Sequence, residues 1–232
     1  MSPVLQAQGL TKQYGGLVAL NGMNISLEPG RIVGLLGPNG SGKTTFIKIA
    51  AGLLAPTAGQ VQIGGMEPGP GTKQIVSYLP DRTYFDGWMK VRECVEMFAD
   101  FYTDFNRNKA YDMLQSLGID ANKRFKTLSK GTQEKVQLAM VMSRSAQLYL
   151  LDEPIGGVDP AARDYILETI IRNYNEQGTV IISTHLIYDI ERVLDDVIFL
   201  MNGFVERFTS VDQIREQSGK SVDEVFREAF RC

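Results

Sequence analysis

One segment restricts the possible folds of this chain more than any other: the glycine-rich stretch GPNGSGKT at residues 37–44. It matches the phosphate-loop pattern G-x-x-x-x-G-K-[ST]. An apolar run at residues 32–36 precedes it, and a segment with helical character begins at Thr45. A phosphate loop joins a buried strand to a helix, so the pattern and its flanks agree. The sequence therefore predicts a nucleotide-binding α/β fold.

The chemistry of this loop assigns roles to its residues. Glycines let successive backbone N–H groups turn toward phosphate oxygens, and the following helix adds the positive end of its dipole. Lys43 is expected to reach the β- and γ-phosphates, and the Thr44 hydroxyl to hold Mg²⁺. The predicted nucleotide-binding residues of this loop are Gly37, Pro38, Asn39, Gly40, Ser41, Gly42, Lys43, Thr44 and Thr45.

Composition and charge restrict the class of protein. The chain has 232 residues, 44% of them hydrophobic, which is enough for a sizeable core. Its net charge of −3 offers no basic excess to a nucleic-acid backbone, so nucleic acid is not expected as a partner. Cys94 and Cys232 form no disulfide framework, which fits a reducing cytoplasm. No apolar run approaches the ~18 residues of a membrane span.

Apolar runs alternate with helical periodicity along the chain, a pattern typical of a parallel sheet covered by helices. The predicted strands are residues 3–8, 18–27, 32–36, 74–79, 148–151, 179–182 and 197–200. The predicted helices are residues 45–50, 91–102, 106–117, 131–143 and 160–174, and a capping box at residues 221–224 predicts another. We expect a single domain over residues 1–232. Its parts are a core lobe (1–80 and 146–208), an inserted helical lobe (81–145) and a helical tail (209–232).

Two carboxylates follow the apolar strand predicted at residues 148–151. Ligands of α/β sheets bind at the carboxyl ends of strands, where Asp152 and Glu153 emerge. Asp152 is expected to ligate Mg²⁺ directly or through water. Glu153 is expected to orient or deprotonate an attacking water. A solvated acidic turn is the structural alternative, and the preceding phosphate loop favours the catalytic interpretation.

The only histidine of the chain, His185, follows the apolar strand predicted at residues 179–182. An imidazole at this position could hydrogen-bond a γ-phosphate and hold the attacking water in line. Alternatively, it belongs to a helix cap with Ser183 and Thr184.

The segment LSKGTQ at residues 128–133 has the character of a second anion site, because a capped helix start offers hydroxyl and backbone donors. The same molecule would struggle to direct it at its own nucleotide. This suggests a site shared between two chains.

The order GPNGSGKT, LSKGTQ, LLDEP, GGVDP, STH resembles the ATPase subunit of an ATP-binding cassette (ABC) transporter over roughly residues 3–207. The resemblance implies a P-loop NTPase core with a mostly parallel sheet, an N-terminal antiparallel β subdomain and an inserted α-helical subdomain. It implies ATP and Mg²⁺ as cofactors, with Lys43, Glu153 and His185 in catalysis. Tyr14 resembles the aromatic residue that stacks on adenine, with Val18 nearby; an ordinary half-buried aromatic is the alternative.

The family works as a head-to-tail dimer with two ATP molecules between the subunits. The resemblance therefore implies a second cassette, identical or related, to whose ATP this chain contributes Ser129, Gly131, Thr132 and Asp159. Two positions depart from the signature LSGGQ: Lys130 replaces the first of its two glycines, and Thr132 replaces its glutamine. Lys130 either adds positive charge at the nucleotide or points into solvent, and we favour solvent.

A third departure occurs at Asp81, where the family usually has a glutamine that reaches Mg²⁺. A carboxylate binds Mg²⁺ more strongly than an amide but repels phosphate without the metal, which predicts a heightened Mg²⁺ dependence of ATP binding. The shorter side chain could instead fail to reach the metal. In the family, the following region receives a segment of the permease, so residues 81–88 are the expected docking surface. We assign Tyr84, Phe85 and Trp88 to that exposed surface, and most of Phe98, Phe101, Tyr102 and Phe105 to the core of the lobe.

The sequence therefore predicts an ATP-hydrolysing transport subunit that lies on the cytoplasmic face of the cell membrane and drives a separate permease. The stretches YLPD, LSKGTQEK and EPIGGVDPAARD most resemble bacterial cassettes of small exporter-type (ABC-2-like) permeases. The alternative is a cassette protein that acts on ribosomes or DNA. A P-loop kinase or GTPase would leave LSKGTQ and the strand end at His185 unexplained.

Overall fold

The computed structural model describes residues 2–230, without the side chains at positions 161 and 162. Within this range, two β-sheets and a set of helices form the molecule. Cys94 is a buried free thiol, whereas Cys232 lies outside the described residues. The same range contains no helix long and apolar enough to cross a membrane.

The larger sheet lies at the centre and has six strands in the order β5-β6-β7-β3-β8-β9. The first five are parallel, and β9 is antiparallel to β8. Their bounds are β3 Ile32–Leu36, β5 Val76–Leu79, β6 Leu148–Asp152, β7 Thr179–Thr184, β8 Asp196–Met201 and β9 Phe204–Ser210. Every residue of β3, β6 and β7 is buried. Continuous apolar runs predict such strands because both of their faces are covered.

Alternate residues of the central strands belong to two separate hydrophobic cores. Along β6, Tyr149 and Leu151 pack into one core, and Leu148 and Leu150 pack into the other. This alternation follows from the period of two residues in a strand. The central sheet therefore carries packed material on both faces, and its ends remain available for a site.

The smaller sheet is antiparallel, with strands β1 Leu5–Tyr14, β2 Leu17–Leu27 and β4 Ala58–Ile63 in the order β2-β1-β4. Helix α1, Lys43–Ala50, shares one core with this sheet through its buried Phe46 and Ile47. The predicted combination of a mostly parallel sheet and an N-terminal antiparallel β region is confirmed.

Three helices follow β5, as the sequence predicts: α3 Val91–Phe101, α4 Arg107–Ser116 and α5 Lys130–Met142. A short helix, α2 Pro70–Lys73, precedes the strand. We call residues 91–142 the helical segment. Its core is rich in aromatic rings, and Phe85 packs against Phe98 and Phe125 with ring centroids 5.9 and 5.4 Å apart.

The assignment of Phe85 to an exposed docking surface is therefore wrong, because its side chain completes this aromatic core and is only 7% exposed. Its neighbours Tyr84 and Trp88 are exposed as expected. Of the four aromatic residues assigned mostly to the core, Phe98 is buried, Tyr102 and Phe105 pack against the core, and Phe101 is exposed.

The sequence-based prediction misses the strands β4 and β9 and ends β1 too early. The strands β4 and β9 lie at sheet edges and are mostly exposed, so they lack the apolar runs that identify buried strands. β1 extends to Tyr14, well beyond the predicted residues 3–8. Its pairing register shifts after Ala7, and such irregularities break the period of two on which the prediction rests.

The remaining helices lie after β6 and around the end of the chain. They are α6 Pro160–Asn173, α7 Ile187–Ile190, α8 Val211–Ser218 and α9 Val222–Ala229. The predicted capping box is confirmed, because Ser221 Oγ accepts the Glu224 N–H at 3.1 Å and Glu224 Oε2 accepts the Ser221 N–H at 2.8 Å. α9 packs on the central sheet through Phe226, whose ring lies 5.4 Å from that of Phe199 in β8.

A buried guanidinium joins the helical segment to the central sheet. Arg144 follows α5, and its side chain is 1% exposed. It donates to the backbone carbonyls of Val76 and Gln74 at 2.5 and 2.6 Å and to Asp104 Oδ1 at 2.9 Å. The ring of Tyr102 covers its face at 3.8 Å. This one side chain therefore fixes the start of β5 against the helical segment.

We expect Arg144→Ala to lower the free energy of unfolding by about 3–5 kcal/mol, because it leaves a carboxylate and two carbonyls without their charged donor. Urea unfolding followed by circular dichroism measures this loss. Arg107→Ala is the matched control, since Arg107 is half exposed and pairs with Glu96 at 3.1 Å. The control should lose less than about 1 kcal/mol, and equal losses in the two variants would contradict the prediction.

Candidate active site

Four neighbouring parallel strands of the central sheet end at the same edge, and the residues predicted from the sequence follow them. In spatial order, β5 leads to Asp81, β6 to Asp152 and Glu153, β7 to His185, and β3 to Gly37. Asp152 lies opposite Ser183 in the register of β6 and β7, and Leu36 lies opposite Thr184. Residues that are far apart in sequence are thus placed side by side.

The glycine-rich loop connects β3 to α1, as predicted. Gly42 has φ +110°, and a Cβ atom there would come within 2.3 Å of the Ala19 carbonyl oxygen in β2. Glycine is therefore required for this close approach. Among the described residues, no side chain caps the start of α1. The first N–H groups of the helix lack intrahelical partners and can receive an anion.

Lys43 lies folded inside this loop. Its Nζ donates to the carbonyls of Gly37 and Pro38 at 2.8 and 3.2 Å and lies 3.8 Å from Glu153 Oε1. Burial lowers the pKa of the Lys43 ammonium, and the negative charges of Glu153 and Asp152 act in the opposite direction. The loop therefore holds a buried cation that faces the carboxylate of the neighbouring strand end.

Asp152 is fully buried. Its Oδ1 accepts hydrogen bonds from Ser183 Oγ at 2.6 Å and from Thr44 Oγ1 at 3.1 Å. Burial raises the pKa of the Asp152 carboxyl, and the two hydrogen bonds partly oppose that effect. Its Oδ2 has no hydrogen-bond partner among the residues that the structure describes. A buried orphan oxygen beside a hydroxyl fits a divalent cation, because Mg²⁺ prefers such oxygen ligands.

Glu153 and His185 form a pair. His185 Nδ1 lies 3.1 Å from Glu153 Oε2 and 3.3 Å from Oε1. Glu153 has φ +49°, and its N–H donates to the Ser183 carbonyl at 3.0 Å. A left-handed backbone is uncommon outside glycine and asparagine and concentrates at functional sites. The turn after β6 thus brings the carboxylate into reach of both His185 and Lys43.

Ser183 is a partner of Asp152 and of the Glu153 backbone that the sequence does not reveal. Its hydroxyl donates to Asp152 at 2.6 Å and accepts the Glu153 N–H at 3.1 Å. The available signal was the polar run Ser183-Thr184-His185 after an apolar strand. Only the pairing of β6 with β7 reveals what the hydroxyl contacts.

The predicted adenine-stacking residues lie on the neighbouring hairpin. Tyr14 in β1 and Val18 in β2 are 46% and 39% exposed. Lys12 Nζ lies 5.2 Å from the centre of the Tyr14 ring. Val18 is followed in β2 by Ala19, whose carbonyl borders Gly42 of the loop. An exposed aromatic ring is suited to stacking on a base, and the adenine contact stays a prediction.

The second predicted anion site lies at the start of α5. Ser129 caps this helix, and its Oγ accepts the Thr132 N–H at 3.2 Å and lies 2.8 Å from Thr132 Oγ1. The Lys130 side chain is 81% exposed and lies 3.8 Å from Glu134. Lys130 therefore points into solvent in the single chain. The contacts of Ser129, Gly131, Thr132 and Asp159 with a partner's nucleotide stay predictions.

Asp81 follows β5 and is 43% exposed, with Oδ2 at 4.0 Å from Arg82. It lines a narrow cleft together with Glu153, Glu134 and Gln137. Its negative charge also contributes to the raised pKa of Asp152. The side chain is thus close enough to affect the carboxylate site, and its role as a metal ligand stays a prediction.

Both the sequence and the fold are similar to those of known proteins. The model of the ABC transporter family matches residues 20–156. This chain belongs to the ABC transporter family. It is the ATP-binding, ATP-hydrolysing subunit that the sequence predicts, and its P-loop fold is that of the family's cassettes.

Several relatives are similar over most of the chain. The SkfA peptide export ATP-binding protein SkfE of Bacillus subtilis (strain 168) is 31% identical over 222 residues, which is 93% of this chain and 92% of SkfE. A solved ATP-binding subunit of an ABC transporter superposes with a TM-score of 0.85 at 29% identity, covering 97% of this chain and 98% of that one. The dimeric structure of MJ0796, a bacterial ABC transporter cassette, gives a TM-score of 0.79 at 25% identity and covers 89% of this chain and 98% of its own.

The burial of Asp152 leads to a pH-dependent prediction for the protein without nucleotide. Its folded-state pKa is raised above the unfolded value of about 3.9, so ionisation costs folding free energy as the pH rises through the folded pKa. Asp152→Asn keeps the acceptor for Ser183 and Thr44 but removes this cost. At about pH 7.5, we expect the variant to melt higher, by roughly 2–4 °C for each kcal/mol regained. The difference should shrink as the pH falls below the folded-state pKa, because Asp152 is then protonated in the folded protein and, like asparagine, uncharged.

Differential scanning calorimetry across this pH range measures the effect. Asp112→Asn is the matched control, because Asp112 lies exposed on α4. The control should follow the wild type at every pH. A melting temperature of Asp152→Asn at or below the wild-type value throughout would show that Asp152 does not destabilise the protein.

Proposed function

We propose that this chain closes as a dimer on ATP, that Glu153 activates the water that hydrolyses it, and that the cycle drives export through a separate membrane permease. The observation that carries the proposal is the pair formed by Glu153 and His185, 3.1 Å apart, with Lys43 at 3.8 Å from the same carboxylate. A base, a positioning imidazole and a phosphate-binding cation are the parts that ATP hydrolysis requires.

Nucleotide binding would use residues 37–45 and the start of α1. On binding, the β- and γ-phosphates replace the carbonyls of Gly37 and Pro38 as partners of Lys43. The exposed ring of Tyr14, with Val18, supplies the surface for adenine. A Mg²⁺ ion would be held by Thr44 and Asp152, with Asp81 as a further proposed ligand, and would neutralise charge on the phosphates.

Hydrolysis then follows from the geometry around Glu153. The water oxygen attacks the γ-phosphorus, its proton passes to the Glu153 carboxylate, and the bond to the β-phosphate oxygen breaks, leaving ADP and phosphate. His185 hydrogen-bonds the γ-phosphate and holds the carboxylate in orientation. Lys43 stabilises the negative charge that develops on the phosphate oxygens.

The second chain of the proposed dimer completes each site. Ser129, Gly131 and Thr132 at the start of α5, together with Asp159, would contact the γ-phosphate of the partner's ATP. A capped helix start with exposed hydroxyl groups suits a phosphate. The dimeric structure of the related cassette MJ0796 supports this arrangement.

We expect Glu153→Gln to lower ATP turnover by at least about 100-fold, because the amide cannot accept the proton of the attacking water. The variant should still bind ATP and should accumulate as a dimer in its presence. Size-exclusion chromatography with light scattering measures the dimer, and phosphate release measures turnover. Glu168→Gln, at an exposed position of α6, is the control. Full turnover in Glu153→Gln would refute the proposed role of Glu153.

Two further variants in the Glu153→Gln background test the shared site. Aspartate and asparagine both cap helices well, so Ser129→Asp and Ser129→Asn both preserve α5. Only aspartate places a negative charge where the partner's γ-phosphate is expected. We expect ATP to dimerise the Ser129→Asn protein but not the Ser129→Asp protein. Equal dimerisation of the two would remove Ser129 from the shared site.

The proposed permease contact is a groove of about 610 Å³ beside the end of β5. Exposed apolar side chains border it, including Phe101 at 69%, Leu53 at 57% and Tyr84 at 42% exposure. Trp88 adds a further exposed ring nearby in sequence, at 66%. An exposed apolar surface of this kind marks a site of interaction. We assign it to a segment of a membrane permease, which would hold the chain on the inner face of the membrane.

Export is the direction that the relatives favour. SkfE, which is similar over nearly the whole chain, has a name that assigns it to peptide export. Specificity for a cargo would reside in the permease, since no part of the proposed mechanism requires the cassette to contact cargo.

Affinity purification of the tagged chain from detergent-solubilised membranes of its source cells tests the transport role. We expect a multispanning membrane protein to co-purify with the wild type and to be lost with Phe101→Ser, while ATPase activity remains. Phe204→Ser is the control, because Phe204 is 47% exposed on the distant edge strand β9. Recovery of ribosomes or DNA instead of a membrane protein would favour the alternative class of cassette.

A further inference from the structure

The pair formed by Glu153 and His185 is held by two different chain segments. Glu153 begins the loop that leaves β6 and leads to α6, and His185 follows β7 and leads to α7. His185 is also about half exposed, with 47% of its side chain accessible. Contact between the two residues therefore depends on how the segments that follow them are fixed to each other.

Arg163 joins these two segments. It lies in the first turn of α6, and its Nε donates to the backbone carbonyl of Val158, in the loop after Glu153, at 3.2 Å. Its Nη1 donates to Asp189 Oδ2, in the helix after His185, at 2.8 Å. The Arg163 and Asp189 side chains are 25% and 29% exposed. One planar guanidinium thus binds both segments through two directed hydrogen bonds.

The two ends of this bridge differ in their backbones, although both are anchored in the core, the loop by its fully buried Ile155. α7 is anchored in the core by Ile187 and Ile190, which are 2% and 0% exposed. The loop between Glu153 and Val158 contains Gly156 and Gly157, and Gly157 has φ +73°. Glycines leave a loop with more accessible backbone conformations. The bridge therefore ties a glycine-containing loop to the helix that follows His185.

We infer that Arg163 is the positioning residue for the Glu153–His185 pair. The loop after Glu153 leads along the chain to Val158, whose carbonyl accepts a hydrogen bond from Arg163. Arg163 also donates to Asp189 in α7, and α7 leads back along the chain to His185. The contact between His185 and Glu153 closes this path. Its two hydrogen bonds go to Val158 and Asp189, so we assign Arg163 no contact with the reacting atoms; it acts by holding the carboxylate and the imidazole at contact distance. The inference rests on the proposed function of the pair, which it extends.

The chain offers a matched control for this bridge. Arg192, in the turn directly after α7, donates to Asp164 of α6 at 2.5 Å. That ion pair joins α6 to the turn after α7, its side chains are 59% and 67% exposed, and Arg192 donates to the Asp164 carboxylate rather than to a loop carbonyl. Arg192→Ala therefore removes an arginine and an ion pair between α6 and the α7 segment without releasing Val158.

His185 is the only histidine of the chain, so it provides a specific probe. In protein labelled with ¹³C and ¹⁵N histidine and purified without a histidine tag, a single imidazole signal reports its environment. We expect Arg163→Ala to shift and broaden this signal, and Arg192→Ala to leave it unchanged. Asp189→Asn, a milder change at the other end of the bridge, should shift the signal in the same direction as Arg163→Ala.

Steady-state kinetics provide the second readout. Misplacement of catalytic groups by about 1 Å lowers turnover by up to about 100-fold, so we expect Arg163→Ala to lower kcat roughly tenfold to a hundredfold. The KM for ATP should change by less than about twofold, because the phosphate loop is intact. Arg163→Lys should recover part of kcat, since it keeps the charge beside Asp189 but lacks the planar pair of donors.

Two results would overturn the inference: a His185 signal in Arg163→Ala that matches the Arg192→Ala control, or a fall in kcat no larger than in that control. Melting temperatures of all variants separate positioning from a loss of folded protein. If the wild type itself does not hydrolyse ATP, the proposed function fails. The imidazole signal then decides alone whether Arg163 positions the pair.

Discussion

The buried carboxylate of Asp152 is the constraint around which the active site is arranged. It ends a central strand with no access to water, and two hydroxyl groups, of Ser183 and Thr44, satisfy one of its oxygens. A buried ionised carboxylate is unfavourable unless hydrogen bonds or a cation compensate for lost hydration. The arrangement therefore holds the carboxylate in a state that a bound cation would relieve. Binding of a cation to Asp152 would therefore also stabilise the fold.

The ends of β7 and β3 lead to side chains that contact Asp152 or Glu153 at the end of β6. The Ser183 hydroxyl in β7 donates to Asp152, and the carbonyl and hydroxyl of Ser183 both accept the Glu153 N–H. These contacts hold β6 and β7 in a fixed register at the site. Lys43 reaches from the loop after β3 to the same group of charges. The parallel sheet supplies the base, and the segments that follow its strands carry Lys43, Glu153 and His185.

Two arginines hold together segments of the chain that surround the central sheet. Arg144 fixes the start of β5 to the helical segment, and Arg163 ties the loop after Glu153 to the helix after His185. Both use the same property, a planar cation that donates to carbonyl and carboxylate oxygens in defined directions. Arg144 is fully buried and stabilises the fold. Arg163 is partly exposed and bridges the segments that follow Glu153 and His185, the pair to which we assign the chemistry.

Sequence patterns predict elements of this protein where the physical signal is local and strong. The strand at residues 32–36 was predicted with its observed bounds because a strand buried on both faces is apolar at every position. The start of α9 was predicted because a capping box is a local interaction between residues three apart. The strands β4 and β9 were missed because their exposed positions carry polar side chains that interrupt the apolar run. The exposure of Phe85 was predicted wrongly, since charged neighbours in sequence do not reveal that a side chain turns into an aromatic core.

The sequence by itself determined the phosphate loop, the order of the charged strand ends and the membership of a family that hydrolyses ATP. These features depend on the types of residues that lie close together in the sequence, so they can be identified without knowledge of the fold. The tertiary structure alone decided that Ser183 satisfies Asp152, that Arg144 joins the helical segment to β5, and that Arg163 bridges Val158 and Asp189. Each of these contacts joins residues from different strands or helices. Their partners are therefore fixed by the order and register of the sheet, which a one-dimensional pattern does not contain.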